Sequence, residues 1–147
     1  MSLENLLKTR QLQTHSAPKD ASLRLLAAAR RNITDSHIEA VSGENRFDAA
    51  YKAIMQCAML ALWLNGYRTS TSQLGHHQTA IQTLPLTIGL AQNTVIILDS
   101  LRKQRNVADY EGDPISDQAV IECVKQAESL LQSLLHWIAL NRTDVLQ

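Results

Sequence analysis

Apolar residues recur along this chain at three- and four-residue intervals, and no stretch alternates with the period of two that a strand requires. A short, partly amphipathic piece covers about Leu3 to Gln13. Ser16-Ala17-Pro18 is a helix start, with Pro18 standing where a missing N–H does no harm. Leu23, Leu26, Ala27 and Arg30 share one face of a helix from Lys19 to Arg31, and Asp35 caps a continuation to about Val41. Ser42-Gly43-Glu44 breaks the pattern. A second long helix, about Asn45 to Asn65, carries Phe47, Ala50, Tyr51, Ile54, Ala58, Ala61 and Leu62 at helical spacing. Met55, Cys57 and Met59 make it apolar nearly all round, as befits a central or interfacial helix. Gly66 ends it.

Tyr67 to Gly75 reads as a polar, Ser/Thr-rich loop, and His76 to Leu84 as a short helix stopped by Pro85. A third long helix spans about Thr87 to Ala108, with Ala91, Thr94, Val95, Leu98 and Leu101 as its buried stripe. Gly112-Asp113-Pro114 is a turn, and Ser116 is the N-cap of a fourth helix. That helix has the clearest stripe: Val120, Val124, Ala127, Leu131, Leu134, Leu135 and Ile138. Four helices with short connections predict an all-α fold, an antiparallel four-helix up-down bundle with short extra helices. Residues 1–15 form an N-terminal extension to it, 16–141 the bundle and 142–147 a tail. Apolar surface beyond the needs of one bundle, on the second and fourth helices, predicts a homodimer.

Composition narrows the picture further. A chain of 147 residues, 45% of them apolar, fits one folded domain rather than a disordered segment. The formal net charge is zero, so any contact with phosphate has to be local. Cys57 and Cys123 lie far apart in apolar helical stretches and read as small core residues of a reducing compartment. No segment of signal-peptide type opens the chain. The longest apolar run, Ala58 to Leu64, falls short of the roughly 20 residues that span a bilayer. The expectation is a cytoplasmic protein with no membrane partner.

The chemistry gathers where the third helix continues beyond Leu98. Arg102, Arg105, Asn106 and Asp109 follow on the same face, with Tyr110 one turn beyond Asn106. Burying such a set without partners costs several kcal/mol. It therefore faces a cleft, a partner or a salt-bridge network. The structural reading pairs Arg102 or Arg105 with Asp109 or with acids of the second helix. The functional reading gives the arginines to phosphate, which the planar guanidinium fork suits.

Arg46 and Asp48 open the second helix. Asp48 either pairs with Lys52 on a solvated face or joins Arg46 against the third-helix cluster. Tyr51 reads as a core residue with its hydroxyl bonded. His76-His77 is a capping or solvated pair unless one of the two reaches the cluster in space. His15, His37 and His136 are isolated, at surfaces or in helix-end contacts. Arg30-Arg31 complements a helix C-terminus, or extends a basic rim. The sequence has no Gly-rich phosphate loop, nucleophile elbow, zinc-ligand spacing, paired catalytic carboxylates or aromatic stacking platform. No metal and no cofactor are expected.

Three segments, Asn45-Arg46-Phe47-Asp48-Ala49-Ala50-Tyr51, Gly75-His76-His77 and Leu101-Arg102-Lys103-x-Arg105-Asn106-x-x-Asp109-Tyr110, resemble the HEPN superfamily. The likeness is to a bacterial branch with R-F-D-x-A-Y and R-N-x-x-D-Y motifs, and it covers roughly Leu23 to Trp137. It implies a four-helix up-down bundle, usually dimeric. Catalytic members are metal-independent endoribonucleases, often toxins or defence proteins; others bind RNA or nucleotides, or act with a nucleotidyltransferase.

Their nuclease pattern is R-x4-6-H. By resemblance Arg105 takes the arginine position, Asn106 the polar one, and Tyr110 stands where the histidine belongs. Arg105 and Tyr110 are then the candidate catalytic residues, and Arg102, Asn106, Asp109, Arg46, Asp48 and His77 the candidate ligand contacts. Tyrosine, with an ordinary pKa of about 10, is poorly matched to proton transfer at neutral pH, where histidine at about 6.5 serves well. The expectation is therefore an RNA- or nucleotide-binding domain or, in its catalytic form, a metal-independent endoribonuclease toxin or defence protein with altered catalytic residues. The alternative is a non-catalytic dimeric interaction module, partner to an antitoxin or a nucleotidyltransferase.

Overall fold

The computed structural model describes residues 1–146. Its helices are α1 (Leu3–Lys8), α2 (Lys19–Ser36), α3 (Gly43–Leu64), α4 (His76–Gln82), α5 (Leu84–Thr87), α6 (Gln92–Glu111) and α7 (Asp117–Asn141). Two short strands, β1 (Leu12–Thr14) and β2 (Tyr67–Thr69), and a closing 3₁₀ turn (Thr143–Leu146) complete it. The fold is all-α.

Helix α3 is central. Phe47, Ala50, Ile54, Ala58, Ala61 and Leu62 are fully buried along it, and α2 and α7 pack against its length. Hydrogen bonds between the helices fix their directions. Asn32 donates to Gln56 and Arg46 donates to the Ser36 carbonyl, so α2 and α3 are antiparallel. Cys123 meets the Phe47 carbonyl and Arg142 the Leu64 carbonyl, so α3 and α7 run the same way. That is the relation between second and fourth members of an up-down-up-down bundle. Arg105, near the end of α6, lies over Tyr51 in the first half of α3, and α6 also approaches α4 and α5.

Local chemistry sets the helix ends. Ser42 Oγ accepts from the Asn45 amide and Ser116 Oγ from the Ala119 amide, satisfying donors that a helix start leaves unpaired. Helix α2 continues without a break to Ser36, so Asp35 sits in its last turn and caps no continuation. The Arg46 guanidinium, 2.8 Å from the Ser36 carbonyl, holds that end. Helix α6 begins at Gln92 rather than near Thr87. Pro85 lies in the separate turn α5, and Gly89 adopts φ 70, which a helix cannot continue through. Gly112, at φ 71, ends α6.

Residues 67–69, expected in a loop, instead pair with β1 in antiparallel register, Leu12 opposite Thr69 and Thr14 opposite Tyr67. The pairing joins segments more than fifty residues apart, a contact that local sequence does not announce. It ties the N-terminal extension to the bundle, with Leu6 and Leu12 buried in the core. Val145 is likewise buried, and Arg142 bridges Asp144 and the Leu64 carbonyl, fixing the tail. Gln147, the last residue of that tail, lies outside the described residues. Among the described residues no helix is long and apolar enough to cross a membrane.

The apolar surplus of α3 is consumed inside the chain, covered by α2, α7, α4, α5 and β2. The large apolar side chains left exposed include Ile96, Ile97 and Val107 of α6 and Ile121 and Leu140 of α7.

Candidate functional site

Helix α6 is anchored through its first half, where Val95, Leu98 and Leu101 are its buried residues. Past Leu101 the same face turns polar while still lying over α3. Arg102 is held by Asp99, at 2.8 Å, with both side chains largely shielded from water. Burial raises the Asp99 carboxyl, but the Arg102 hydrogen bond and the charges of Arg102 and Lys103 outweigh it and keep it below the usual range.

Arg105 stands one turn further on, with its guanidinium carbon 5.3 Å from the centre of the Tyr51 ring, within cation–π range. Its Nε lies 3.2 Å from Asp109, and the side chains are 34% and 41% exposed. Such an open i,i+4 pair stabilises by only about 0.3–0.5 kcal/mol and gives way readily to a better anion.

Tyr51 itself is buried, and its hydroxyl lies 3.2 Å from Nδ1 of His77 at the start of α4. Burial pushes this phenol up to about 12, against the opposing pull of Arg105 and Arg102. His77 is displaced the other way. Burial lowers it first, then the charges of His76, Arg105 and Arg102, so its imidazole is neutral near neutral pH. The direction of this bond follows the imidazole tautomer: with its proton on Nδ1, His77 donates to the phenol oxygen and Nε2 is left bare as an acceptor. His76 packs edge-on against His77, with ring centres 4.7 Å apart.

These groups open onto a cleft of about 500 Å³ between α3, α4 and α6. Asp48, Tyr51, Lys52, Met55, Gln56 and Met59 of α3 line it, with Leu25 of α2, His77 and Arg105. Asp48 is raised above the usual carboxylate range by burial and by the nearby Asp109, with Arg105 pulling it back. No ion pair forms between Asp48 and Lys52 among the described residues. One cleft therefore offers a guanidinium and an ammonium, a neutral imidazole and a thioether-lined floor. Among the described residues no three His, Cys, Asp or Glu side chains converge to hold a metal.

The residues singled out from the sequence divide accordingly. Arg105, Asp48 and His77 meet in the cleft; Asp109 holds Arg105 from the rim; Arg102 lies close by, committed to Asp99. Asn106 is half-buried beside them. Arg46 is elsewhere, bonded to the Ser36 carbonyl and facing the groove between α2 and α7 with His37 and Glu128. Tyr110 is 86% exposed and lines no part of the cleft. Five residues past Arg105, it lies about 140° around the helix. That rotation excludes it from Arg105's face, and it is legible in the spacing.

Lys52, Met55, Gln56 and Met59 are cleft residues that the sequence pattern did not single out. Their signal is present, since positions 48, 51, 52, 55, 56 and 59 form one helical stripe. A helix apolar nearly all round hides it. No family model and no curated protein sequence matches the chain.

Proposed function

We propose that this is a HEPN-type domain whose α3–α4–α6 cleft binds RNA or a nucleotide, with Arg105 as the phosphate contact. The observation that carries the reading is the state of Arg105. It is neither sealed nor locked, but held over Tyr51 at the mouth of a cleft by one exposed carboxylate. The Leu25, Met55 and Met59 side chains suit the flat, weakly polar face of a base. A ligand of this kind belongs in the cytoplasm.

In this reading the arginine–histidine pairing of HEPN nucleases is supplied by His77 from α4, and Tyr110 has no part in it. A neutral imidazole next to a guanidinium is a competent proton acceptor beside a group that stabilises a developing phosphorane charge. The test is cleavage of labelled RNA in EDTA. The expectation for an endoribonuclease of toxin or defence type is activity retained in Tyr110→Phe and lost, by at least about 100-fold, in Arg105→Ala and His77→Ala. Equal cleavage by all four proteins would come from a contaminant and would remove the catalytic part of the reading.

A second reading draws on a different observation. The exposed Ile96, Ile97 and Val107 lie on α6 away from the core. A dimeric interaction module, with a second copy, an antitoxin or a nucleotidyltransferase on that face, would use them. Sedimentation separates the two readings: a dimer that Ile96→Asp abolishes, with RNA binding absent throughout, favours the second.

A further inference from the structure

The Arg105 cleft has a neighbour. Between α2 and α3 lies a second concavity, of about 410 Å³, bordered by Arg30, Arg31, Asn32, Asp35 and, from α3, Lys52 and Gln56. Lys52 and Gln56 also line the first cleft, so the two adjoin along one stretch of α3. We infer that the ligand is an extended single strand of nucleic acid, its phosphate chain running from Arg105 across Lys52 to Arg31, rather than a lone nucleotide. This deepens the proposed function and rests on it.

The cations of this groove are available. Arg30, Arg31 and Lys52 form no ion pair among the described residues, and Arg105 has only its exposed pair with Asp109. They are also spread out. Arg105 meets α3 at Tyr51, while Asn32, next to Arg31, bonds Gln56 at 2.8 Å. Those two points on α3 are about 7.5 Å apart along the helix axis, and α2 and α6 add to the separation. One phosphate cannot satisfy both ends; successive phosphates of a strand can.

Asp35 and Asp48 also face the groove and Asp109 pairs with Arg105 at its rim, and four cations against three carboxylates leave it net positive by one. A concave cleft with an apolar floor suits an unstacked base, which a single strand offers and a duplex does not. Helix α2 runs on to Ser36 with no basic residue in its last turn, so Arg30 and Arg31 do not complement a helix C-terminus as the sequence suggested, and the phosphate chain supplies a reason for them.

Fluorescence anisotropy with oligouridylates of two, four and eight nucleotides tests the inference, with octathymidylate alongside. The probes are run against wild type, Arg105→Ala and the exposed double variant Arg30→Ala/Arg31→Ala. Affinity is expected to rise at least tenfold from two to eight nucleotides, and the double variant to lose that rise while binding the dinucleotide as wild type does. Its slope of log affinity against log salt is expected to flatten by about 0.7 for each phosphate that the absent arginines no longer neutralise. Length dependence with either octamer upholds the track, and the tighter one identifies the strand. An octamer bound no better than a dinucleotide overturns the track, as does a double variant that binds the octamer like wild type. In both cases Arg105 sensitivity leaves the cleft standing. Binding of every length unchanged in Arg105→Ala overturns the cleft itself.

Discussion

Tyr51 joins the core to the cleft: its ring is packed among buried side chains, its face meets Arg105 and its hydroxyl meets His77. The sequence indicates a core tyrosine with a bonded hydroxyl but no partner for it, because His77 arrives from twenty-six residues away. His77 carries a pH dependence with a definite sign. Its folded-state pKa lies below the ordinary 6.5, so below that pH the unfolded chain binds a proton that the folded one refuses. The stabilising effect of neutral His77 is complete above about 6.5 and declines as the pH falls toward its folded value. Urea unfolding at pH 7.5, 6.5 and 5.5 should show His77→Gln losing less stability across this range than wild type; an identical decline in both proteins would contradict the assignment. The cysteines behave in the opposite way to reactive thiols. Burial pushes Cys57 and Cys123 each up to about 12, and both are free. Iodoacetamide at pH 7.5 should modify neither in the folded protein and both in denaturant.

At the scale of elements, the long helices are legible because each rests on a repeating stripe and a terminal signal within a few residues of it. Ser116, Gly66 and Gly112 mark ends that the structure reproduces. The β1–β2 ribbon is not legible, since three-residue strands carry no period and owe their existence to each other. The start of α6 departs from the periodicity because Gly89 and Pro85 act on the backbone rather than on the apolar pattern. Two substitutions test these assignments. Ser116→Ala removes the cap of α7 and should cost about 1 kcal/mol. Leu98→Ala, at the fully buried anchor of α6, should cost about 2–5 kcal/mol, whereas Ile96→Ala, on the 64% exposed side, should stay within about 0.5 kcal/mol. Comparable losses of stability at positions 96 and 98 would mean that α6 is not packed through the Val95–Leu98–Leu101 edge.

For the whole molecule, zero net charge and a basic groove are compatible because the charge is local. Arg30, Arg31, Lys52 and Arg105 come together only when α2, α3 and α6 pack. Helical spacing alone puts Arg105 and its neighbours on one helix face and turns Tyr110 away from it; only the packed helices reveal that α3 supplies most of the cleft wall. The central claim is that the Arg105 guanidinium is presented to a ligand, and NMR locates such a ligand most directly. Titration of ¹⁵N-labelled protein with octauridylate should shift the amides of Tyr51, Lys52, His77 and Arg105 and the Arg105 Nε–H, leaving those around Trp137 and Leu140 on α7 unmoved. Saturable shifts confined to α7, or none at any concentration of RNA, would contradict it.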